Sequence, residues 1–89
     1  MEFRWNDWNL EHLERHGVSP EEAEQVVAHA KPPYPEGRED DKYLVWGPGQ
    51  GRRLLQVLFL LQHDDSLYII HARPLTEKEK RRYRRRRNR

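Results

Sequence analysis

Polar and apolar residues alternate over residues 2–5, with Phe3 and Trp5 on one side, a period of two that predicts a short edge strand. The period then lengthens to that of a helix. Asn6 serves as an N-cap, Asp7 stands at the positive end of the helix dipole, and Trp8, Leu10, Leu13 and the His12/His16 pair give a short amphipathic helix. Gly17 stops this helix in a left-handed conformation. Ser19-Pro20-Glu21-Glu22 opens a second helix: a capping serine, proline at the first helical position, and glutamate three residues after the cap. Its apolar stripe is Ala23, Val26, Val27 and Ala30, and Pro32-Pro33 ends it.

Residues 31–41 hold three prolines, a glycine and several charges, and read as a loop. Three strand patterns follow, over 42–46, 53–62 and 67–72, separated by turns at 47–51 and 63–66. Turns this short make the strands an antiparallel meander, with the N-terminal strand alongside. Thr76 opens a last helix whose apolar content is little more than Leu75 and Tyr83. The predicted order is β-α-α-β-β-β-α, an α+β fold with an antiparallel sheet, two N-terminal helices and one C-terminal helix. Residues 1–83 form its single domain, and 84–89, with nothing apolar to pack, form a flexible arginine-rich tail.

Composition narrows the function. Cysteine is absent from the 89 residues, which excludes disulfides and thiolate chemistry. The longest apolar run, 57–61, is far shorter than the ~20 residues that span a bilayer, and no signal-peptide pattern opens the sequence. A cytoplasmic protein without membrane contact is the expectation. The net charge of +2 conceals an asymmetry: residues 1–41 carry 4 Lys+Arg against 11 Asp+Glu, residues 42–89 carry 13 against 4, and −7 + 9 = +2. Nine of those thirteen cations fall in the last twelve residues, which points to a polyanionic partner. The two halves neutralising each other is the alternative.

His12 and His16 have a helical metal-binding spacing but no third ligand, so no metal and no other cofactor is expected. Residues 47–51 resemble a phosphate cradle, yet lead into a strand rather than a helix N-terminus, and so read as a hairpin turn. The basic residues say more. In a meander, Arg52 or Arg53 and Arg73 come to one sheet edge, where the last helix begins with Lys80, Arg81 and Arg82. Guanidiniums pair bidentately with phosphate and stay charged, so such a cluster suits an RNA backbone and the charge that develops on a phosphorane. Arg53, Lys80, Arg81, Arg82, Arg84 and Arg85 are the candidate RNA-binding residues. Glu79 and Tyr83 share a face of that helix, where a carboxylate can take a proton and a tyrosine can transfer one or stack on a base; a packing role for Tyr83 is equally open.

Several segments together resemble the BrnT family of type II toxins. They are Trp5-Asn6, Asn9, Arg15-His16-Gly17-Val18-Ser19 with Glu21-Glu22-Ala23, Gly51-Arg52, Ile70-His71-Ala72-Arg73, and Thr76-x-x-Glu79-Lys80-x-x-Tyr83. The resemblance spans nearly the whole chain. It implies a RelE-like ribonuclease fold, metal-independent RNA cleavage, and neutralisation by a BrnA-type antitoxin through which alone operator DNA is contacted. Matched by position, Arg52, Arg73, Glu79 and Tyr83 are the catalytic candidates, with His16 a structural or catalytic addition. Two departures stand out: His71 where the family commonly has a small residue such as serine, and the arginine-rich last helix. In the implied reaction the 2′-hydroxyl attacks its own phosphate. Arg73 and Arg52 stabilise the phosphorane, Glu79 or His16 is the base, and Tyr83 positions or donates. A non-catalytic RNA-binding or antitoxin-binding module is the competing reading.

Overall fold

Asn6 and Asn9 open the first helix as a reciprocal pair. The Asn6 side chain accepts from the Asn9 amide at 3.2 Å, and the Asn9 side-chain oxygen accepts from the Asn6 amide at 2.8 Å. Two orphan donors are thereby satisfied at the start of α1 (Asp7–Arg15). Asn9 is fully buried, and its Nδ2 donates to the carbonyls of Arg4 and Ile69, which ties α1 to two strands. Gly17, at φ +68°, ends the helix as its pattern predicts: its amide bonds to Glu14 O and that of Val18 to Leu13 O, a Schellman closure.

In α2 (Pro20–Ala28) the Ser19 hydroxyl accepts from the Glu22 amide, as the capping pattern requires. The Glu22 carboxylate, however, does not return to the cap. It turns instead to the connection over residues 49–53, where it accepts from the Gln50 amide and from Arg53.

The computed structural model describes residues 1–87, with side chains as far as Arg86. The strands are β1 (Phe3–Arg4), β2 (Glu36–Gly37), β3 (Lys42–Pro48), β4 (Leu54–Leu61) and β5 (Leu67–Pro74), in the sheet order β1-β5-β4-β3-β2. The β3–β4–β5 meander is antiparallel, as its short turns dictate. β1 pairs parallel to β5, making the sheet mixed: the long connection through α1 and α2 leaves its direction free of the hairpin rule. β2 is a strand that composition alone reads as loop. Asp40 and Asp41 at φ 60° and 58° close a tight turn that folds Glu36–Gly37 back onto β3.

One face of the sheet carries the core. Val45, Leu55, Val57, Ile69 and Ala72 are inaccessible to solvent and cluster with Leu13, Ala23, Val26 and Val27 of the helices. The opposite face is lined across the strands by Leu44, Leu58 and His71 in one row and by Trp46, Gln56 and Arg73 in the next. A bulge makes that second face possible. Strict alternation from Leu67 and Ile69 would send His71 and Arg73 toward the core. Instead Leu58 pairs with His71 while Phe59 pairs with Ile69, so Ile70 is an extra residue and Ala72 takes the core position.

α3 (Glu77–Arg87) crosses this second face. Tyr83 is buried and stacks on Tyr34, while Arg82 and Arg86 lie over the Trp46 ring. The helix continues through 84–87, where a frayed tail is expected from the sequence. Arg86 explains the difference: its guanidinium covers the Tyr34 and Trp46 rings and bonds to the Tyr34 hydroxyl and Glu36, so packing is achieved without an apolar side chain. Positions 88 and 89, the rest of that tail, lie outside the described residues. Among the described residues, no helix is long and apolar enough to cross a membrane.

Two measurements test this framework. A Cβ at Gly49 would stand 2.6 Å from the Glu22 carboxylate and 2.8 Å from Leu55, so Gly49→Ala should cost about 1–3 kcal/mol in urea unfolding. The Glu22 carboxyl is held low by Arg53, against burial and with help from the Gln50 amide, and Glu79 is held to about 2. Both groups therefore contribute stability that is present above the ordinary glutamate range and lost as pH falls through their lowered folded values, about 2 for Glu79, and Glu22→Gln should flatten that acid limb.

Candidate functional site

The end of β5 and the start of α3 are joined by a capping box with a second use. The Glu79 amide bonds to the Thr76 hydroxyl at 3.2 Å, and Glu79 Oε1 accepts from the Thr76 amide at 2.8 Å. Both carboxylate oxygens also grip Arg73, at 2.7 and 2.8 Å. With further bonds to Pro74 O and, at 3.3 Å, to Gln56, four of the five guanidinium N–H donors are engaged. Hydrogen bonding from Arg73, opposed by burial and reinforced by the Thr76 amide, keeps the Glu79 carboxyl at about 2. A carboxylate so acidic and so fully engaged is a weak proton acceptor near neutral pH. Its geometry suits it to orienting Arg73.

On the other flank of α3 lies an open groove of about 610 Å³, lined by Pro48, Arg52, Arg53, Leu54, Lys80, Tyr83 and Arg84. Arg52 is exposed, at φ +63° in the β3–β4 connection, and lines the groove together with Tyr83 and Arg84. Arg53 lines the groove but is committed elsewhere. Its guanidinium takes both Glu22 oxygens, at 2.9 and 2.7 Å, and the Gly17 carbonyl at 2.6 Å. For Arg53, then, neutralisation between the two halves of the chain describes the structure better than a free phosphate ligand. Lys80 lies 3.2 Å from Glu77. Arg82 rests over Trp46, and Arg81 and Arg85 are exposed away from the groove lining.

His16 lies apart from both clusters but not alone. It caps α1, and its ring meets that of His71 edge-on at 5.2 Å. Burial pushes the His71 imidazole below its ordinary value, with His16, Arg73 and His12 adding to the effect. The five catalytic candidates thus divide into Arg73–Glu79, Arg52 and Tyr83 in the groove, and His16 against His71. His71 follows Arg73 on the second face of β5 because of the bulge, which no residue pattern discloses. The Tyr34–Trp46–Arg86–Glu36 cluster is equally hidden, since its members lie far apart in sequence. Among the described residues, no three His, Asp or Glu side chains converge as a metal site would require.

A mixed five-stranded sheet, backed by two helices and crossed by a basic third, defines a small α+β protein of toxin-like fold. The chain is similar to the crystal structure of the Brucella abortus ribonuclease toxin BrnT, with a TM-score of 0.68 over 86% of this chain and 99% of that one. Sequence identity between them is 18%, and the likeness is one of fold. It agrees with the family resemblance read from the motifs. No family model matches the chain, and no curated protein matches it in sequence.

The latch of α3 has its own test. Arg86→Ala removes two ring contacts and two hydrogen bonds, and should destabilise the fold by about 1–3 kcal/mol in urea titration. Arg85→Ala, exposed on the same helix, should leave the midpoint unchanged.

Proposed function

We propose that this protein is a metal-independent endoribonuclease toxin of a type II toxin–antitoxin pair, acting in the cytoplasm and neutralised by a small DNA-binding antitoxin of the BrnA type. The observation that carries the reading is Arg73, held in one orientation by both oxygens of Glu79 at the root of a basic helix. The fold it shares with a ribonuclease toxin supports the same reading. A preoriented guanidinium stabilises charge on a phosphorane without reorganising at the moment of reaction. Its long bond to Gln56 is the first that a phosphate oxygen would replace. Arg52, Lys80 and Arg84 then track the RNA backbone along the groove, with Tyr83 as its wall. In this scheme Glu79 positions Arg73 rather than taking a proton.

A non-catalytic binding module is the second reading, favoured by the number of Arg73 donors already engaged within the protein. Turnover separates the two. Induced in a bacterial host, the chain should arrest growth and generate RNA ends bearing 2′,3′-cyclic phosphate, and Arg73→Ala, soluble and folded, should reduce cleavage by about 10²-fold or more. Normal growth with intact RNA would support the binding module. In either case Arg52→Ala and Arg84→Ala should each weaken single-stranded RNA binding and lower the salt slope by about 0.7.

A further inference from the structure

We infer that His16 and His71 form the acid–base couple of this site, His71 taking the 2′-hydroxyl proton and His16 supplying one to the leaving 5′-oxygen. The inference rests on the ribonuclease reading and assigns the proton chemistry which that reading leaves without an owner. Glu79 has both oxygens bound to Arg73 and the Thr76 amide. The two imidazoles differ from it in being uncommitted. His12 and His29 fold Nδ1 onto the carbonyls of Trp8 and Gln25, one turn back in their helices. No ring nitrogen of His16 or His71 has a hydrogen-bond partner among the described residues, so these nitrogens can serve a substrate.

Placement and charge complete the case. The bulge in β5 puts His71 two residues from Arg73 on the same sheet face, so a phosphate held by Arg73 lies beside the imidazole. The His16 ring approaches from the end of α1 to 5.2 Å. Two imidazolium ions in contact repel, and the pair therefore passes through a state with one proton between them. Burial, His16, Arg73 and His12 all oppose a charge on His71, which suits it to take a proton beside Arg73, while His16 at the exposed end of α1 is open to exchange with solvent. The charged and titratable groups around His71 are thus His12 and His16 from α1 and Arg73 on its own strand; its β4 partner, Leu58, brings none.

The step balances. The 2′-oxygen forms a bond to phosphorus as its proton passes to His71, and the bond from phosphorus to the 5′-oxygen breaks as His16 donates to that oxygen. The products are a 2′,3′-cyclic phosphate and a 5′-hydroxyl, and the couple leaves with its proton exchanged, to be reset through solvent.

The test is the pH–rate profile of the purified chain on a single-stranded oligoribonucleotide, with its 2′-deoxy counterpart as a control. The wild type should give a bell whose acid limb lies below the ordinary histidine range. His71→Gln should lose that limb and about 10²-fold or more in rate, and His16→Gln should lose the alkaline limb. A wild type that cleaves while His71→Gln keeps both rate and acid limb overturns the couple and leaves the ribonuclease reading standing. A folded wild type that cleaves no RNA overturns both. Should a variant fail to fold, ¹⁵N titration of the wild-type imidazoles decides: coupled titration with His71 the more acidic supports the couple, and two independent titrations at the ordinary histidine value refute it.

Discussion

The Glu22 carboxylate lies almost wholly out of water, accepting hydrogen bonds from the Gln50 amide and from Arg53, whose guanidinium also reaches the carbonyl of Gly17. These few bonds join the α1–α2 junction, the body of α2 and the start of the central strand. A domain of 89 residues with 36% charged side chains has little apolar volume with which to make such joints. A buried carboxylate is costly unless every neighbour satisfies it, so the β3–β4 turn must bring a main-chain amide and a guanidinium to it. Gly49 allows the approach, because a side chain there would occupy the space of the carboxylate. Arg53, which also lines the basic groove, is therefore held by this carboxylate.

The same economy governs the last helix. Its sequence has almost nothing apolar, yet it is held across the sheet by Tyr83 on Tyr34, by Arg82 and Arg86 on Trp46, and by the pairing of Arg86 with Glu36. Ion pairs between the acidic and basic halves account for part of the charge asymmetry, through Glu22–Arg53 and Glu36–Arg86. Among the described residues Arg52, Arg81, Arg84 and Arg85 are exposed and take part in no ion pair, nor do Arg15, Lys31, Lys42, Lys78 and Arg82, and the basic character of the surface draws on all of them.

The proposed chemistry follows from how these supports distribute the polar groups. Glu79 closes a helix cap and orients Arg73 with one carboxylate, which removes it from proton transfer. The bulge between Ile69 and His71 reverses the facing of the strand, so Arg73 and His71 lie on the second face of the sheet instead of in the core. Arg52 and Tyr83 line a groove on the far flank of α3, suited to the backbone rather than to the reacting phosphate. His71 stands two residues from Arg73 on the same face of β5, with the His16 ring against it.

The local elements were legible in the sequence because their causes are local. Asn6, Gly17, Ser19-Pro20 and Thr76 act on backbone groups within a few residues, and the alternation of β4 reports burial on one face directly. The antiparallel meander followed from turn length, and the pairing of Arg73 with Glu79 joins two residues that the motif singles out. What only the tertiary structure decided depends on partners distant in the chain. Glu22 reads as a cap residue and serves Arg53 instead; Arg53 reads as a phosphate ligand and serves Glu22. Arg86 reads as tail and acts as a latch. A one-residue register shift turned Arg73 and His71 outward, and β1 took the parallel direction its long connection permits. Charge and polarity are written in each residue, but which opposite charge or ring will satisfy them is fixed only when the sheet brings remote segments within hydrogen-bonding distance.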